Sequence, residues 1–572
     1  MTRFAFFLLS VSVIIFTAAC GGAPALPTAA VPAAGVTAGA QAPEAETTAQ
    51  LAPTPTLMAT APEATSTAPA PTPEPGPSPT PETTRWRVGV APGVPADLAA
   101  AMDEVLQEHP DIFAPAGEGE EADVTLMVEG SDPLATWVYA VVVPFATLND
   151  STTFADLQAN WRTGAAPQAL VDQYNGPLLT DLWGEGGARQ VDSQQLVGQL
   201  WQQRPAWSLT PFHRLEPSLK VLPVDGVSPL DADFDAGDYP FTFEFGLQGT
   251  HAAVSALREV WNGPQSNYDA NRITRVAMTG VTALVRATAY QMENRGISYP
   301  GEEVKAVLQA ADVAHVSNEV SFVPDCPPPH YIGDPVFCSS PRYLALLEEL
   351  GVNVVELTGN HLNDWGAQYV PYSLDLYDDA GMRTFGGGRD LAESQQPLIV
   401  EHNGNQLAFI GCNPVGPPGG WATAERAGSA PCDYEALYAQ IGELQSAGNV
   451  VIATQQYQEI YHYAPTAQQQ EDFRALAQAG AAAVSGSQGH HAQGFDFHEG
   501  AFIHYGLGNL FFDQMDMLGT RQTMVDVYTI YDNRLLSVQL WTGLIENYAR
   551  PRLMSQDERR DLMQTLFEAS GW

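Results

Sequence analysis

The sequence predicts an α/β protein in which a larger C-terminal α/β domain follows a smaller α/β domain. Short apolar segments recur along the C-terminal half, helical segments separate several of them, and each apolar segment ends in Gly or polar residues. The apolar segments are "RVAMTG", "DVAHVSNEV", "VNVVELTGN", "QLAFIGCN", "NVVIATQQY", "AAAVSGSQG" and "AFIHYGLGN". The helical segments are 301–311, 341–350, 434–447 and 467–479.

The smaller domain is predicted over residues 85–250. "RWRVGVAP", "ADVTLMVEG" and "WVYAVVVPF" are typical of strands, and residues 96–108 have helical spacing. The stretch "LTPFHRLEPSLKVLPVDG" resembles periplasmic solute-binding-protein modules that are sometimes fused to surface enzymes. This resemblance implies a ligand-binding or packing module, and no metal or phosphate motif lies in this segment.

The larger domain is predicted over residues 271–550, followed by a C-terminal helix over 551–572. The stretch "TMVDVYTIYDNRLLSVQLW" predicts a β-hairpin that turns at Asp532 and Asn533. In open α/β sheets, binding sites form beyond the carboxyl ends of the strands. Because polar clusters follow one strand after another here, the sequence predicts a site at that edge of the sheet.

The N-terminus predicts an exported, lipid-anchored protein. Arg3 precedes an apolar run over 4–16, and Thr17-Ala18-Ala19-Cys20 then resembles a bacterial lipoprotein signal that is cleaved before Cys20. Residues 1–20 would be the signal peptide, and the lipid on Cys20 would hold the protein on the cell membrane, at the cell surface or in the periplasm. An uncleaved anchor or an ordinary secretory peptide is the alternative, although the apolar run is shorter than the ~20 residues of a membrane-spanning helix.

Residues 21–84 predict a disordered Pro/Ala/Thr-rich stalk. This segment consists largely of Ala, Pro, Thr, Gly and Glu, and it contains no aromatic residue. Such a composition cannot bury a hydrophobic core and favours an extended chain. The stalk would hold the folded domains away from the lipid anchor.

The charge balance argues against nucleic acid as a partner. The formal net charge is −41 at pH 7, and the lysines are Lys220 and Lys305 alone. A surface this acidic repels nucleic acid and anionic membranes. The predicted partners are the membrane, which the protein would reach through its lipid, and components of exopolymer or envelope synthesis. The second prediction depends on the motifs of the C-terminal domain.

The cysteines predict two disulfides. Five cysteines are an odd number, and lipidation of Cys20 would leave four in two local groups. The predicted pairs are Cys326 with Cys338 and Cys412 with Cys432. The alternative is four free buried thiols in a cytosolic protein, which the export signal argues against.

Polar residues of metal-binding or hydrogen-bonding type follow the predicted strands. Carboxylate, amide oxygen and neutral imidazole groups from several strands are what a divalent metal requires. The alternative is that each cluster only satisfies the backbone of a surface loop. The candidate residues are Asn318, Glu319, Asn360, His361, Asp364, Gln455, Glu459, Gln488, His490, His491 and Asn509.

The motifs over about 271–547 resemble the bacterial CapA/PgsA family, which is associated with capsule and poly-γ-glutamate synthesis. They are "SNEV", "GNHLNDWG", "FGGGRDLAESQQP", "NGNQLAFIG", "QYQEIYHYAP", "GSQGHH" and "YGLGNLFFD". The resemblance implies an α/β sandwich of the calcineurin-like metallophosphoesterase type.

The resemblance also implies roles for individual residues. Glu319, Asn360 and His490 would be metal ligands. His361 would be the acid or phosphate-facing group, and Asp364 would orient it. Glu459 would be a further acidic site residue. The substrate-binding positions would be Asn318, Gln455, Gln488, His491 and Asn509.

The sequence departs from the family pattern at three positions. Val281 stands where the family has Asp, and Gln455 and Gln488 stand where it has His. Because these side chains bind metals weakly or not at all, the sequence predicts one divalent metal (Mn, Zn or Fe) or none, rather than two.

Three functions remain open at this point. The first is a surface-anchored protein of capsule or poly-γ-glutamate-type exopolymer synthesis with residual metal-dependent hydrolase chemistry. The second is a non-catalytic surface protein that binds a carbohydrate or peptide polymer. The third is a purely structural role for the polar clusters.

Overall fold

The computed structural model describes residues 85–117, 119–331 and 337–572. The predicted signal peptide over 1–20, the lipidation at Cys20 and the predicted stalk over 21–84 lie outside these residues. Among the described residues, every helix is too short or too polar to cross a lipid bilayer.

The N-terminal region forms a mixed sheet covered by helices. Its strands are β1 (Trp86–Val90), β2 (Phe113–Pro115), β3 (Val124–Val128), β4 (Asp132–Pro144), β5 (Gln168–Val171), β6 (Arg189–Gln190), β7 (Ala206–Pro211), β8 (Leu219–Val221) and β9 (Thr242–Gly249). Its helices are α1 (Ala96–Glu108), α2 (Phe154–Thr163), α3 (Asn175–Trp183), α4 (Leu196–Gln202) and α5 (His251–Val260). The strand order is β2-β1-β3-β9-β4-β7-β5-β6, and β8 pairs with β4.

The long strand β4 joins the two halves of this sheet. Its first half pairs with β9, up to the register Val138↔Thr242. Its second half pairs with β7, starting from Tyr139↔Pro211. The partner strand of β4 therefore changes from β9 to β7 between Val138 and Tyr139.

The C-terminal region contains the remaining strands and helices. The strands are β10 (Ile273–Thr279), β11 (Val281–Thr282), β12 (Val313–Asn318), β13 (Val354–Glu356), β14 (Arg383–Phe385), β15 (Gly387–Gly388), β16 (Leu398–His402), β17 (Asn405–Cys412), β18 (Gly428–Ser429), β19 (Val450–Gln455), β20 (Ala483–Ser485), β21 (Phe495–His498), β22 (Ala501–His504), β23 (Asn509–Phe511), β24 (Gln522–Tyr531), β25 (Arg534–Glu546) and β26 (Arg550–Leu553). The helices are α6 (Arg286–Arg295), α7 (Lys305–Gln309), α8 (Leu344–Glu349), α9 (Tyr369–Asp379), α10 (Leu391–Ser394), α11 (Tyr434–Ser446), α12 (Ala467–Gln478), α13 (Leu518–Arg521) and α14 (Gln556–Ala569).

Two sheets pack face to face in this region. The first has the order β14-β13-β12-β10-β24-β25-β26, and the second has the order β16-β17-β19-β20-β22-β21. One buried cluster contains Val276 and Val354 from the first sheet together with Phe409 and Ile452 from the second. Further buried clusters join the outer faces to helices, with Leu346 of α8 in one and Phe473 of α12 in another. The region is an α/β sandwich, as predicted.

The two regions pack against each other. Phe145 of the N-terminal region belongs to the core between the two C-terminal sheets, and its ring lies 5.4 Å from that of Phe495. The Arg559 guanidinium donates to the Asp150 carboxylate at 2.6 Å. Both regions lie in one compact unit, and the predicted division at 85–250 and 271–550 stays a prediction.

Several local predictions can be compared with the structure. The hairpin turns at Asp532 and Asn533, both of which have positive φ, at 53° and 54°. This conformation is the one that a two-residue type I′ turn requires. Both predicted disulfides, Cys326–Cys338 and Cys412–Cys432, are confirmed.

Other predicted helices are shorter than expected. The prediction over 301–311 is wrong at its start, where Tyr299–Gly301 is a 3₁₀ turn and α7 begins only at Lys305. Gly301 lowers helix stability. The segment 341–350, predicted as a helix, begins with a 3₁₀ turn over Pro341–Tyr343, and α8 starts only at Leu344. The chain over 551–572 first continues as β26, which pairs with β25, before α14 begins behind the capping box of Ser555 and Glu558.

Candidate functional site

The carboxyl ends of neighbouring strands bring Glu319, Asn360 and His361 together. β12 and β13 run parallel, so the residues that follow them lie at one edge of the sheet. A Cβ on Gly359 would lie 2.2 Å from the Cα of Glu319. Only glycine therefore fits between the two loops, and beyond it a backbone bridge pairs Val320 with His361.

We refer to the site around Glu319, Asn360, His361 and His490 as the pocket. Glu319 is its central carboxylate. Its side chain is fully buried, and neither carboxylate oxygen has a hydrogen-bond partner among the described residues. Burial raises the pKa of the Glu319 carboxyl, and the neighbouring His490 and His361 oppose this rise. The amide oxygen of Asn360 is likewise buried and has no partner in the described structure.

His490 presents a nitrogen to this carboxylate. Its Nε2 lies 3.9 Å from Oε2 of Glu319. Its Nδ1 lies 2.7 Å from Oδ1 of Asn509, whose amide nitrogen donates to the carbonyl of Thr520 at 2.9 Å. With the amide nitrogen of Asn509 engaged by Thr520, its oxygen can accept a proton from Nδ1 of His490, and in the neutral imidazole Nε2 then carries the lone pair on the side of Glu319.

Glu459 lies at the mouth of the pocket. Its side chain is 42% exposed, and its Oε1 lies 3.9 Å from Nε2 of His490. The Tyr461 hydroxyl donates to Glu459. Glu459 can therefore reach both a bound group and the solvent.

His361 and Asp364 form a second pair in the same site. His361 Nδ1 donates to Oδ2 of Asp364 at 2.7 Å, and the backbone N–H of Phe337 donates to the same oxygen at 2.8 Å. The Phe337 ring lies 4.3 Å from the imidazole of His361. Burial disfavours the imidazolium, but the bond to Asp364 and the charges of Glu319, Asp364 and Glu459 outweigh it and raise the pKa of His361.

The remaining candidate residues have other neighbours. Gln488 Nε2 donates to Oγ of Ser317 at 2.6 Å, and Gln455 Nε2 donates to the hydroxyl of Tyr434 at 3.3 Å. Both leave a buried side-chain oxygen without a partner among the described residues. Asn318 donates to the hydroxyl of Tyr377 at 2.6 Å.

His491 turns away from its neighbour His490. Its Nδ1 donates to the carbonyl of Ala492 at 2.7 Å, and its ring lies 4.6 Å from that of Tyr463. A Cβ on Gly519 would lie 1.9 Å from its Nε2, so the backbone of that residue covers the ring. The contacts of His491 thus differ from those of the pocket residues.

Below the pocket, Glu356 is also fully buried but is well paired. Its carboxylate lies 3.2 Å from Nε2 of His315 and accepts from the hydroxyls of Thr358, at 2.6 Å, and Ser487. Burial raises the pKa of Glu356, but the bond and charge of His315 and these hydroxyls outweigh it, so its pKa is lowered. Glu356 is therefore held as a carboxylate.

The sequence analysis missed Arg286 and Asp513. Arg286 donates to both carboxylate oxygens of Asp513, and its guanidinium lies 4.7 Å from the Phe337 ring and 4.9 Å from the Phe512 ring. The Phe512 ring in turn lies 5.1 Å from that of His490. Asp513 ends the motif "YGLGNLFFD", which could have indicated it, whereas nothing in the sequence marks Arg286.

The residues present fit one divalent metal ion. In the described ranges, no group of three or more His, Cys, Asp or Glu side chains is arranged to hold a metal, so a site here depends on the amide of Asn360. Glu319 and Asn360 together carry three buried oxygens without partners in the described residues, and Oε2 of Glu319 lies 3.9 Å from Nε2 of His490. Such a set of O and N donors is the one that Mn, Fe or Zn takes.

Comparisons with known proteins show that the pocket lies within residues matched by one family model. The family model "Bacterial capsule synthesis protein PGA_cap" matches residues 275–514. "Capsule biosynthesis protein CapA" of Bacillus anthracis is 28% identical over 191 residues, which cover 33% of this chain and 46% of that protein. "PGA biosynthesis protein CapA" of Bacillus subtilis (strain 168) is 26% identical over 170 residues, which cover 30% of this chain and 45% of that protein. The matches thus span less than half the length of these relatives.

Among solved structures, the 5′-nucleotidase precursor from Thermus thermophilus aligns with a TM-score of 0.31 and 13% identity. The alignment covers 52% of this chain and 58% of that one. The resemblance of residues 85–250 to solute-binding modules stays a prediction.

Proposed function

We propose, from the match of residues 275–514 to the family model of bacterial capsule synthesis proteins, that this protein acts in the synthesis of a capsule or poly-γ-glutamate-type exopolymer. The observation that carries the proposal is that the matched residues contain the pocket of Glu319, Asn360 and His490. In this proposal, a lipid on Cys20 anchors the protein outside the cytoplasm on the cell membrane, where it meets other envelope-synthesis components.

The pocket would hold one divalent metal ion, Mn, Zn or Fe, through Glu319, Asn360 and His490, with Glu459 at its mouth. When bound, such an ion polarises a phosphoryl or acyl oxygen. A purely structural role would leave two oxygens of a buried carboxylate without hydrogen bonds, which is costly. The absence of partners for Glu319 in the described structure therefore favours a binding role.

His361 would act as the proton donor of this site. The bond from its Nδ1 to Asp364 fixes the tautomer and orientation of the ring. The raised pKa of His361 keeps a larger fraction of the imidazole protonated near neutral pH. A group held in this way can donate a proton to a leaving group.

A second candidate function is non-catalytic binding of a carbohydrate or peptide polymer. The buried oxygens of Gln455 and Gln488, which have no partner in the described part of the chain, favour it. Neutral amides accept hydrogen bonds from polymer hydroxyl or amide groups without requiring a metal.

Metal analysis of the purified full-length protein tests the proposal. We expect one equivalent of metal in the wild type and loss of most of it in Glu319→Gln and His490→Asn. His491→Asn is the matched control, because this neighbouring imidazole bonds Ala492, and it should keep the metal. A metal-free wild type that retains exopolymer would support the binding function instead. A protein that retains neither would overturn both.

A further inference from the structure

A cavity of about 350 Å³ lies in the N-terminal region, away from the pocket described above. Pro95, Ala96 and Asp97 line it at the start of α1, and Asp172 and Asn175 line it at the start of α3. These helices follow the strands β1 and β5, which lie on opposite sides of β4 in the sheet and run antiparallel to each other. Ligand sites of α/β sheets form at such carboxyl ends, where the order of the strands switches.

Tyr139 lines the cavity at the point where β4 changes from β9 to β7. Its side chain is fully buried, and its hydroxyl has no hydrogen-bond partner among the described residues. A buried hydroxyl without a partner is costly, so a polar group that enters the cavity and bonds to it would remove that cost. Burial, followed by the charges of Asp172 and Asp97, raises the pKa of Tyr139, so this hydroxyl stays neutral and can donate.

The two carboxylates that line the cavity, Asp97 and Asp172, differ in their partners. Asp97 is paired with Nε2 of His213 at 2.9 Å and with the Arg214 guanidinium, and these partners lower its pKa to about 2 against the effect of burial. Asp172 has no cationic partner in the described structure. Its Oδ1 accepts from the backbone N–H groups of Tyr174 and Asn175, both at 2.9 Å, which leaves Oδ2 for a ligand.

The start of α1 provides the opposite polarity. Pro95 precedes α1, a helix of 13 residues, and its side chain cannot accept a hydrogen bond. The first N–H groups of α1 therefore lack a side-chain cap at this position. The N-terminus of a helix is a partial positive charge that favours a carboxylate. Arg214 also lines the cavity and adds positive charge on this side.

We propose that this cavity binds a free α-amino acid. Its ammonium group would bond to Asp172 and its carboxylate to the start of α1, and the Tyr139 hydroxyl would donate to that carboxylate. The cavity volume lies in the range of about 300–1,000 Å³ that is typical of small-molecule sites. A doubly charged anion such as phosphate would face the carboxylate of Asp172, which has no cationic partner in the described structure, and a neutral sugar would leave Asp172 without a cation.

Equilibrium dialysis of the full-length protein tests this proposal. The protein is dialysed against an equimolar mixture of the common L-amino acids, and separate samples against inorganic phosphate and glucose. We expect one or more amino acids to be retained at up to one equivalent in total. The N-acetyl and amide derivatives of a retained amino acid should bind at least about tenfold more weakly, because each lacks one charged group. Retention of phosphate or glucose alone, or of no probe at a free concentration of about 1 mM, would overturn the proposal.

Matched variants locate the site. Tyr139→Phe and Asp172→Asn should each weaken binding about tenfold, and Asn at 172 keeps a side-chain oxygen that can accept from the N–H groups of Tyr174 and Asn175. Tyr528→Phe is the control, since this tyrosine also has a fully buried hydroxyl without a partner in the described residues but lies in the C-terminal core. Binding that survives both cavity variants in proteins with unchanged thermal unfolding would contradict the assignment, as would equal weakening by Tyr528→Phe.

Discussion

Glu319 and Glu356 are both fully buried glutamates of the same sandwich, yet their surroundings are opposite. Glu356 is bonded by Thr358 and Ser487 and faces His315, and its pKa is lowered. Glu319 has no hydrogen-bond partner in the described residues, and burial raises its pKa. The difference separates a carboxylate whose hydrogen bonds are satisfied within the fold from one whose oxygens have no partner in the described residues, as the proposed metal site requires.

The largest expected effect is on stability. Glu356→Gln should lower the free energy of unfolding by about 3–5 kcal/mol, because it removes the carboxylate that lies 3.2 Å from the buried imidazole of His315. Glu319→Gln should change it by less than about 1 kcal/mol in metal-free protein, because the variant loses no hydrogen bond and removes a buried charge. Urea unfolding in the presence of a chelator measures both, and equal losses would contradict the distinction.

Local sequence patterns were enough to predict several elements, although not the starts of α7, α8 and α14, and the edge of the sheet where the candidate residues lie. The helix expected over 96–108 is α1 (Ala96–Glu108), and the strand-end residues Glu319 and His490 do approach each other. These features follow from apolar periodicity and from the common direction of parallel strands.

The rest of the site depends on tertiary packing that no local pattern records. Arg286 donates to Asp513, which is 227 residues away in the sequence. The strand before Arg286, β11, is only two residues long, so it gives no strand pattern that could be recognised in the sequence. In "WVYAVVVPF", Tyr139 reads as one more strand residue, and only the folded structure shows that its hydroxyl has no partner among the described residues. The sequence does not predict the contrast between Glu319 and Glu356 either. Glu319 directly follows the apolar strand β12, and Glu356 is the last residue of the apolar strand β13.

Adding ligands around Glu319 would sharpen the contrast between the two glutamates. Val281 is buried and pairs in register with Ser317 and Asn509, both next to or within the pocket. We expect the combined variant Val281→Asp, Gln455→His and Gln488→His to bind Mn or Zn at least about tenfold more tightly, equivalent to about 1.4 kcal/mol. Titration calorimetry measures the affinity, and wild-type affinity in the combined variant would mean that these positions do not face the metal.

The smallest expected effect is a pH dependence that belongs to Glu356. Because its pKa in the folded protein is lowered below the ordinary value of 4.5, the folded state binds this proton less readily than the unfolded state. The stability that ionised Glu356 contributes is therefore fully present above pH 4.5 and declines as the pH falls toward its folded pKa. The difference in free energy of unfolding between the wild type and Glu356→Gln should accordingly be constant from about pH 7 to about pH 5.5 and shrink below about pH 4.5. Urea unfolding at stepped pH measures this difference, and one that grows on acidification would show that Glu356 is protonated in the folded protein and is not the paired carboxylate that distinguishes it from Glu319.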